Sequence, residues 1–265
     1  MNIDDLRFDL VEEQNALENV VSDLSPGDWL LKTPSPGWTV ADQIAHLTYF
    51  DNAAVTAITD PDGFKNLVSE LMKRITESKV AEDFTLSPYR EMNHLELLEA
   101  WREGREDLAS ASSLLSKGDR VIWYGPSMGS KSFLTARLME VWAHGQDIVD
   151  TVQIERPDGS RLRHIVQLGF ITRSWSYINR GLEPSVVPVQ VSVQGPSGEV
   201  WDFGPEDALN SIRGTARDFC LVTTQRRNLI DTGLQVEGEA ALEWMNIAQI
   251  FAGPATDGPN ASGLN

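Results

Sequence analysis

The amino-acid sequence predicts a mainly α-helical protein with a smaller α+β part at its carboxyl end. In roughly the first 155 residues, apolar side chains recur at the three- and four-residue spacing of amphipathic helices. After Pro157-Asp158-Gly159 the pattern changes to alternating segments separated by turn residues, which is typical of strands. The composition, with 41% hydrophobic residues, is that of a globular protein and not of a disordered one.

Helical periodicity and helix-end signals divide the first part into long helices joined by short loops. Thr39, followed three residues later by Asp42, resembles a capping box and starts the second helix. Ser25-Pro26-Gly27 ends the helix before it. The predicted helices cover residues 3–24, 40–60, about 64–79, 93–116 and about 131–152. Four principal helices of this kind are sufficient for an up-and-down bundle.

The second part mixes helices with short strands. Two strands are predicted around the turn Pro196-Ser197-Gly198. The predicted elements are a helix at about 163–180, strands at 186–195 and 199–204, a helix at 208–225, a strand at 234–238 and a helix at 239–251. The simplest organisation is a helical domain of residues 1–156, a small α+β domain of residues 157–253 and a flexible tail of residues 254–265, which is rich in Gly, Pro, Asn and Ser.

The charge balance and the single cysteine restrict the function classes. Lys and Arg number 22 against 39 Asp and Glu, giving a net charge of −17. A surface this acidic repels phosphate backbones and anionic lipids, so nucleic-acid and membrane partners are not expected. Cys220 is the only cysteine, which excludes an intramolecular disulfide. The amino terminus lacks the basic and apolar regions of a signal peptide, and we therefore expect a cytoplasmic protein.

Two of the four histidines lie inside predicted helices with apolar neighbours. His46 is on the second helix, and His144 follows Glu140 by four positions on the helix at 131–152. This spacing places Glu140 and His144 on one helix face. Two histidines and one carboxylate leave an open coordination position, as catalytic zinc requires, although iron, nickel or manganese also suit these ligands. The alternatives are satisfied core histidines and an ordinary Glu–His surface pair.

Neighbouring residues with reactive side chains have more ambiguous roles. Asp147 is three residues beyond His144, and Asp51 is five beyond His46. Either could orient a ligand imidazole or act as a base, and Asp147 has the better position, but a solvated carboxylate on a helix face is the simpler interpretation of each. Cys220 lies in an apolar run, which indicates a core residue and not a nucleophile.

Two segments resemble the mycothiol-dependent maleylpyruvate isomerase family, which belongs to the DinB/YfiT-like metalloprotein superfamily. These segments are GWTVADQIAHLTYFD (37–51) and TARLMEVWAHGQDIVD (135–150). The resemblance implies a DinB-like four-helix bundle with zinc bound by His46, Glu140 and His144. SIRGTARDFCLVTTQRR and LQVEGEAALEWMNIAQIFAG resemble the family's carboxy-terminal domain, which implies a sterol-carrier-like α+β fold. The chain is more similar to an uncharacterised metal-binding branch than to the true isomerases.

The resemblance also implies that arginines in the second part of the chain bind ligands. In the true isomerases, arginines help to bind the anionic substrate or the thiol cofactor. We therefore assign Arg226 as a catalytic residue that binds the substrate carboxylate, beside Asp147 as the second catalytic candidate. The assigned cofactor-binding residues are Arg213, Arg217 and Arg227. The alternative is that these arginines are surface charges or pair with Asp218 and Asp231.

Three classes of function remain open from the sequence. The first is a zinc-dependent isomerase or S-transferase that uses mycothiol or a similar thiol on a small carboxylate-bearing substrate. The second is a metalloenzyme that uses no thiol, with water or substrate on the metal. The third is a non-catalytic metal- or ligand-binding protein. The chain is expected to be a monomer or a homodimer.

Overall fold

The computed structural model describes residues 2–78 and 81–262, except for the side chains of 74–78 and 81–83. The chain divides into two compact units, Met1–Arg156 and Pro157–Asn265. The first unit is helical apart from a two-stranded hairpin, and the second combines short helices with a four-stranded sheet. The predicted mainly helical fold with a sheet near the carboxyl end is therefore confirmed.

Within the described residues, six helices belong to the first unit and four to the second. Their bounds are α1 Ile3–Val21, α2 Val40–Thr59, α3 Pro61–Ser78, α4 Ala81–Arg90, α5 His94–Ser112, α6 Ser130–Val152, α7 Leu162–Ile171, α8 Arg173–Ile178, α9 Ala216–Thr223 and α10 Glu239–Ile247. The strands are β1 Arg120–Val121, β2 Met128–Gly129, β3 Gln190–Gln194, β4 Val200–Phe203, β5 Ser211–Thr215 and β6 Gln235–Glu237. No helix in the described ranges combines the length and the apolar character that a membrane span requires.

Helix α6 packs against both α1 and α2, and α2 also packs against α5. Nearly every side chain of α6 from Arg137 to Val149 is buried, which explains why its hydrophobic pattern extends around the helix and is not confined to one stripe. Trp142 is among these core residues. The polar side chains on α6 are therefore placed inside the protein, where each needs a partner.

The predicted capping box at the start of α2 is confirmed. The Thr39 hydroxyl accepts from the backbone N–H of Asp42 at 3.2 Å, and the Asp42 carboxylate accepts from the backbone N–H of Thr39 at 2.9 Å. Arg90, at the end of α4, also donates to Asp42 at 2.8 Å. These bonds satisfy free backbone donors at the helix end and fix where α2 begins. They thereby set which side of α2 carries His46.

A buried ion pair joins α2 to α6. Asp51 is completely buried and accepts from the Arg137 guanidinium at 3.1 Å, with Gln14 of α1 donating to its other oxygen at 3.4 Å. Burial raises the pKa of Asp51, and the charge of Arg137 opposes this effect. The prediction of a solvated carboxylate at this position was wrong, because Arg137 comes from a helix 86 positions away and no local pattern reveals it.

The sheet of the second unit has the strand order β4-β3-β5-β6. β3 pairs antiparallel with β4 and parallel with β5, and β6 pairs antiparallel with β5. The hairpin of β3 and β4 and the short strand β6 follow the predicted segments. The central pairing of β3 with β5 brings together residues about 20 positions apart, as parallel strands require a longer connection.

The sequence prediction failed at several boundaries. Ser211–Thr215 was included in a helix but forms strand β5, and the helix begins only at Ala216, where the Thr215 side chain caps it. The helix predicted at about 163–180 is interrupted at Thr172, where the backbone leaves the helical region. Helix α4 was not predicted at all. Tertiary pairing and packing override local propensity at such positions.

The described part of the tail, residues 254–262, is hydrogen-bonded to an earlier segment of the second unit. The Asn228 amide donates to the carbonyl oxygen of Pro259 at 3.0 Å, and the Asp231 carboxylate accepts from the backbone N–H of Ser262. Side chains from an earlier segment thus provide hydrogen bonds to these residues, and the flexibility of the tail stays a prediction. The last three residues of the predicted tail lie outside the described part of the chain.

The buried pair on α2 and α6 generates a stability prediction. Arg137→Met leaves the Asp51 carboxylate buried without its charged partner, and we expect the free energy of unfolding to fall by about 3–5 kcal/mol. Urea denaturation measures this change. The double variant Asp51→Leu/Arg137→Met should recover much of the loss, because both charges are removed together.

The matched control for this prediction is Lys65→Met, which removes a cation that pairs with Asp62 on the surface at 2.8 Å. The urea midpoint of this variant should stay at the wild-type value. If Arg137→Met unfolded at the same urea concentration as Lys65→Met, the proposed importance of the buried pair would be refuted.

Candidate metal centre

The structure brings the three predicted ligands together between α2 and α6. The Glu140 carboxylate lies 3.3 Å from Nε2 of His46 and 3.1 Å from Nε2 of His144. One ligand atom from each residue lies within 4.8 Å of the other two, and the two imidazole centroids are 4.3 Å apart. Among the described residues, the side chains of His46, Glu140 and His144 are arranged as a group that could share a metal ion.

Burial and mutual contacts set the protonation of this group. Burial and the neighbouring His144 lower the pKa of His46 to about 4, with Glu140 opposing them. Burial raises the pKa of Glu140, but its hydrogen bonds with His144 and His46 outweigh this effect and hold the pKa well below its ordinary value. Near neutral pH, His46 is therefore uncharged and Glu140 is ionised. These are the forms in which imidazole and carboxylate bind metals.

The donor set fits a divalent transition metal. Two imidazole nitrogens and one carboxylate oxygen are typical ligands of catalytic zinc and leave a coordination position for another molecule. Tetrahedral ligands at bond lengths of about 2.0–2.1 Å are separated by about 3.3 Å. The distances from Glu140 to His46 and His144, 3.3 and 3.1 Å, are close to this separation. The two imidazole nitrogens lie within 4.8 Å of each other, so two of the three separations match a tetrahedral site.

A turn before α2 places an aromatic ring against both imidazoles. Ser35-Pro36-Gly37-Trp38 is closed by a hydrogen bond of 3.1 Å from the N–H of Trp38 to the carbonyl of Ser35. Proline in the second position and Gly37 with a φ of +82° in the third are the requirements of a type II turn. The Trp38 indole stacks on His144 at 5.9 Å and 15°, and its centroid is 5.2 Å from that of His46.

Further aromatic side chains surround His46. The ring of Phe50 lies 4.5 Å from the imidazole of His46 and 5.5 Å from the ring of Tyr124. The Tyr124 hydroxyl donates to that of Tyr49 at 3.3 Å, and burial raises the pKa of Tyr124. The surroundings of this ligand are therefore apolar rings with a few hydroxyl groups, which is the usual lining of a small-molecule site.

Gln43 is a site residue that the sequence analysis missed. Its side-chain oxygen lies 2.5 Å from Nδ1 of His144, and its amide nitrogen donates to the hydroxyl of Thr33 at 2.8 Å. Gln43 is completely buried on α2, three residues before His46. A glutamine within the apolar segment QIAHL was the available signal, because a buried amide requires partners for both its polar atoms.

Asp147 is buried and accepts a hydrogen bond from the Ser35 hydroxyl at 3.0 Å. Its carboxylate therefore contacts the turn that carries Trp38, and it is not the solvated acid that was the simpler interpretation. Both ring nitrogens of His144 have other close partners, Glu140 and Gln43. The catalytic role assigned to Asp147 stays a prediction.

The four predicted arginines belong to the second unit. Arg213 pairs with Glu237 at 3.5 Å, and Arg217 pairs with Asp158 at 2.8 Å. The guanidinium groups of Arg226 and Arg227 donate to backbone carbonyls of their own segment. The assigned roles in substrate and cofactor binding stay predictions. Cys220 is completely buried, as expected of a core residue.

A family model described as the mycothiol maleylpyruvate isomerase N-terminal domain matches residues 10–149, more than half of the chain. The chain belongs to this family. The matched range contains all three converging ligands, and the resemblance inferred from the two sequence segments is confirmed. The family model covers the first unit and does not extend into the second.

The sequence similarity between this chain and its relatives extends over almost its whole length. Two uncharacterized proteins, from two strains of Mycobacterium tuberculosis, are each 40% identical to it over 249 residues, which is 93% of this chain and 95% of theirs. The crystal structure of the mycothiol-dependent maleylpyruvate isomerase has a TM-score of 0.55 at 14% identity and covers 89% of this chain and 93% of that one. A histidine-to-alanine mutant of that isomerase gives a TM-score of 0.54 at 14% identity, covering 85% and 90%. At this identity the two crystal structures establish a shared fold.

The geometry predicts the effect of removing each ligand. His46→Ala, Glu140→Ala and His144→Ala should each lower zinc affinity by at least about 100-fold, since even loss of an outer partner of a ligand costs 10–100-fold. Elemental analysis after dialysis measures the bound zinc, and far-ultraviolet circular dichroism checks that the helices persist.

His94→Ala is the matched control, because His94 lies at the first position of α5 and is not part of the converging group. This variant should bind zinc like the wild type. Equal zinc content in all four variants would show that these side chains hold no metal.

Proposed function

We propose that this protein is a zinc-dependent enzyme that uses mycothiol or a similar small thiol to isomerise, or to transfer the thiol to, a small carboxylate-bearing substrate. The observation that carries the proposal is the convergence of His46, Glu140 and His144 inside the range that matches the isomerase family. Membership of that family supports thiol-dependent isomerase chemistry. The fold shared with the mycothiol-dependent maleylpyruvate isomerase agrees with it.

The side chains around the centre have distinct tasks in this proposal. His46, Glu140 and His144 would hold the zinc, whose bound form acts as a Lewis acid and lowers the pKa of a coordinated thiol or water. The low pKa of His46 keeps that imidazole unprotonated near neutral pH, so that it is ready to bind metal. Trp38 and Phe50 cover the imidazoles with apolar rings, and such a lining reduces the local water content and strengthens electrostatic interactions.

The reaction implied by the family is an addition followed by an elimination. The thiolate sulfur adds to one carbon of a double bond conjugated with a carboxylate or keto group, and the electron pair moves into that group. Rotation about the resulting single bond precedes elimination of the same thiol, which restores the double bond in the other geometry. Thiol is thereby regenerated, and no oxidant or reductant is consumed. In an S-transfer reaction the adduct is released instead.

The remaining assignments belong to the same proposal. We retain Arg226 as the arginine that binds the substrate carboxylate and Asp147 as a catalytic candidate. Arg213, Arg217 and Arg227 are retained as thiol-binding candidates. The finer fold assignment, a DinB-like four-helix bundle with a sterol-carrier-like second unit, also stays a proposal, as do a cytoplasmic location and a monomer or homodimer.

A direct assay tests this function. The zinc-loaded protein is incubated with mycothiol and maleylpyruvate, and the conversion of the cis to the trans double bond is followed by proton NMR. We expect turnover that requires both the thiol and the metal. Glu140→Gln should lower the turnover rate by at least about 100-fold, because the substitution removes a charged ligand. Lys65→Met, which changes only a surface ion pair, is the matched control and should retain wild-type turnover.

The outcome distinguishes the three classes of function. Turnover that persists without thiol would identify a metalloenzyme of the second class. Tight binding of either small molecule without any product, measured by calorimetry, would identify a carrier. Either result would contradict the thiol-dependent proposal.

A further inference from the structure

A continuous chain of hydrogen bonds leads from His144 to a backbone carbonyl. Nδ1 of His144 contacts the side-chain oxygen of Gln43 at 2.5 Å, and the Gln43 amide nitrogen donates to the Thr33 hydroxyl at 2.8 Å. The Thr33 hydroxyl donates in turn to the carbonyl oxygen of Trp38 at 3.1 Å. Three side chains and one peptide group, from α2, α6 and the loop before α2, are thus connected in series.

The last member fixes the direction of every bond in this chain. A carbonyl oxygen can only accept, so the single hydroxyl hydrogen of Thr33 points at Trp38. Towards Gln43, the hydroxyl oxygen of Thr33 can then only accept, and the amide must present its NH₂ group to it. The amide oxygen of Gln43 therefore faces His144, where it can only accept. Nδ1 of His144 must consequently carry a hydrogen.

This hydrogen determines what the other ring nitrogen can do. A neutral imidazole has one N–H, so a hydrogen on Nδ1 leaves a lone pair on Nε2. Nε2 is the nitrogen that lies 3.1 Å from the Glu140 carboxylate. A neutral His144 with its hydrogen on Nδ1 therefore presents the Nε2 lone pair on the side where a metal shared with Glu140 would bind.

We propose that Gln43 is a positioning residue that fixes the tautomer and ring orientation of His144 for metal binding through Nε2, and that Thr33 sets the direction of the Gln43 amide. This inference rests on the metal centre proposed above. It assigns roles to two residues that do not contact the metal, in the way that outer partners of ligand histidines raise metal affinity in other proteins.

The surroundings make this chain rigid. Gln43 is completely buried, so that water does not compete for its amide. The Trp38 carbonyl also accepts from the backbone N–H of Thr33 at 2.8 Å. This second bond keeps the Thr33 hydroxyl next to the carbonyl oxygen that accepts its hydrogen. A bridge between Lys32 and Thr39 closes the same loop one residue further out on each side.

Zinc affinity of substituted proteins tests the inference. Thr33→Val removes the hydroxyl at nearly constant shape, so the Gln43 amide can turn its NH₂ group towards His144 and favour the wrong tautomer. Gln43→Met removes the acceptor directly. We expect each variant to bind zinc about 10–100-fold more weakly in competition with a chromophoric chelator, and Thr33→Ser, which keeps the hydroxyl, to restore most of the affinity.

A spectroscopic readout separates positioning from a merely structural role. In the zinc-loaded wild type, ¹⁵N–¹H correlation spectra should show a slowly exchanging Nδ1–H for His144, and this signal should weaken or disappear in Thr33→Val and Gln43→Met. Thr48→Val is the matched control. It removes another buried hydroxyl of α2, one that donates to the carbonyl of Ile44 at 2.8 Å, and should leave the signal and the affinity unchanged.

The possible failures are distinguishable. If the wild type bound zinc but Thr33→Val and Gln43→Met bound it equally well and kept the Nδ1–H signal, the positioning role would be refuted while the metal centre stood. If the wild type bound no zinc, the proposed function and this inference would both fall.

Discussion

The site depends on one contact, that of the Glu140 carboxylate with two imidazoles from different helices. Glu140 and His144 are neighbours on α6 by spacing alone, but His46 reaches them only because α2 and α6 pack side by side. The buried pair of Asp51 and Arg137 joins the same two helices and fixes the position of one helix along the other. A slip of one residue between α2 and α6 would separate these charges as well as the ligands, so a common packing constraint stabilises the fold and forms the site.

The turn before α2 links the local sequence to the chemistry of this site. Pro36 and Gly37 are required for the backbone of the turn, and the turn places Trp38 against the imidazoles. Polar side chains of the turn and of the residues just before it contact α2 and α6 through separate bonds, Thr33 to Gln43 and Ser35 to Asp147. A short segment next to the ligands in sequence therefore supplies an apolar wall and the hydrogen-bond partners that orient a ligand ring.

Local signals made part of this arrangement predictable. The cap at Thr39, the four-residue spacing of Glu140 and His144, and the resemblance of the ligand segments were all visible in sequence, and the structure brings the three side chains together. The partners of Asp51 and Gln43, and strand β5, were not predictable in this way. Each depends on contacts between distant segments, which periodicity and propensity do not contain. A buried polar residue in an apolar helix was the one sequence signal that pointed to Gln43.

X-ray absorption spectroscopy at the zinc edge of the metal-loaded protein shows whether the imidazoles of His46 and His144 ligate the metal. We predict a coordination shell of nitrogen and oxygen without sulfur, with the scattering pattern of two imidazoles that falls to one in His46→Ala. A sulfur ligand, which only Cys220 or a methionine could provide, would contradict this coordination, as would an imidazole pattern unchanged by that substitution.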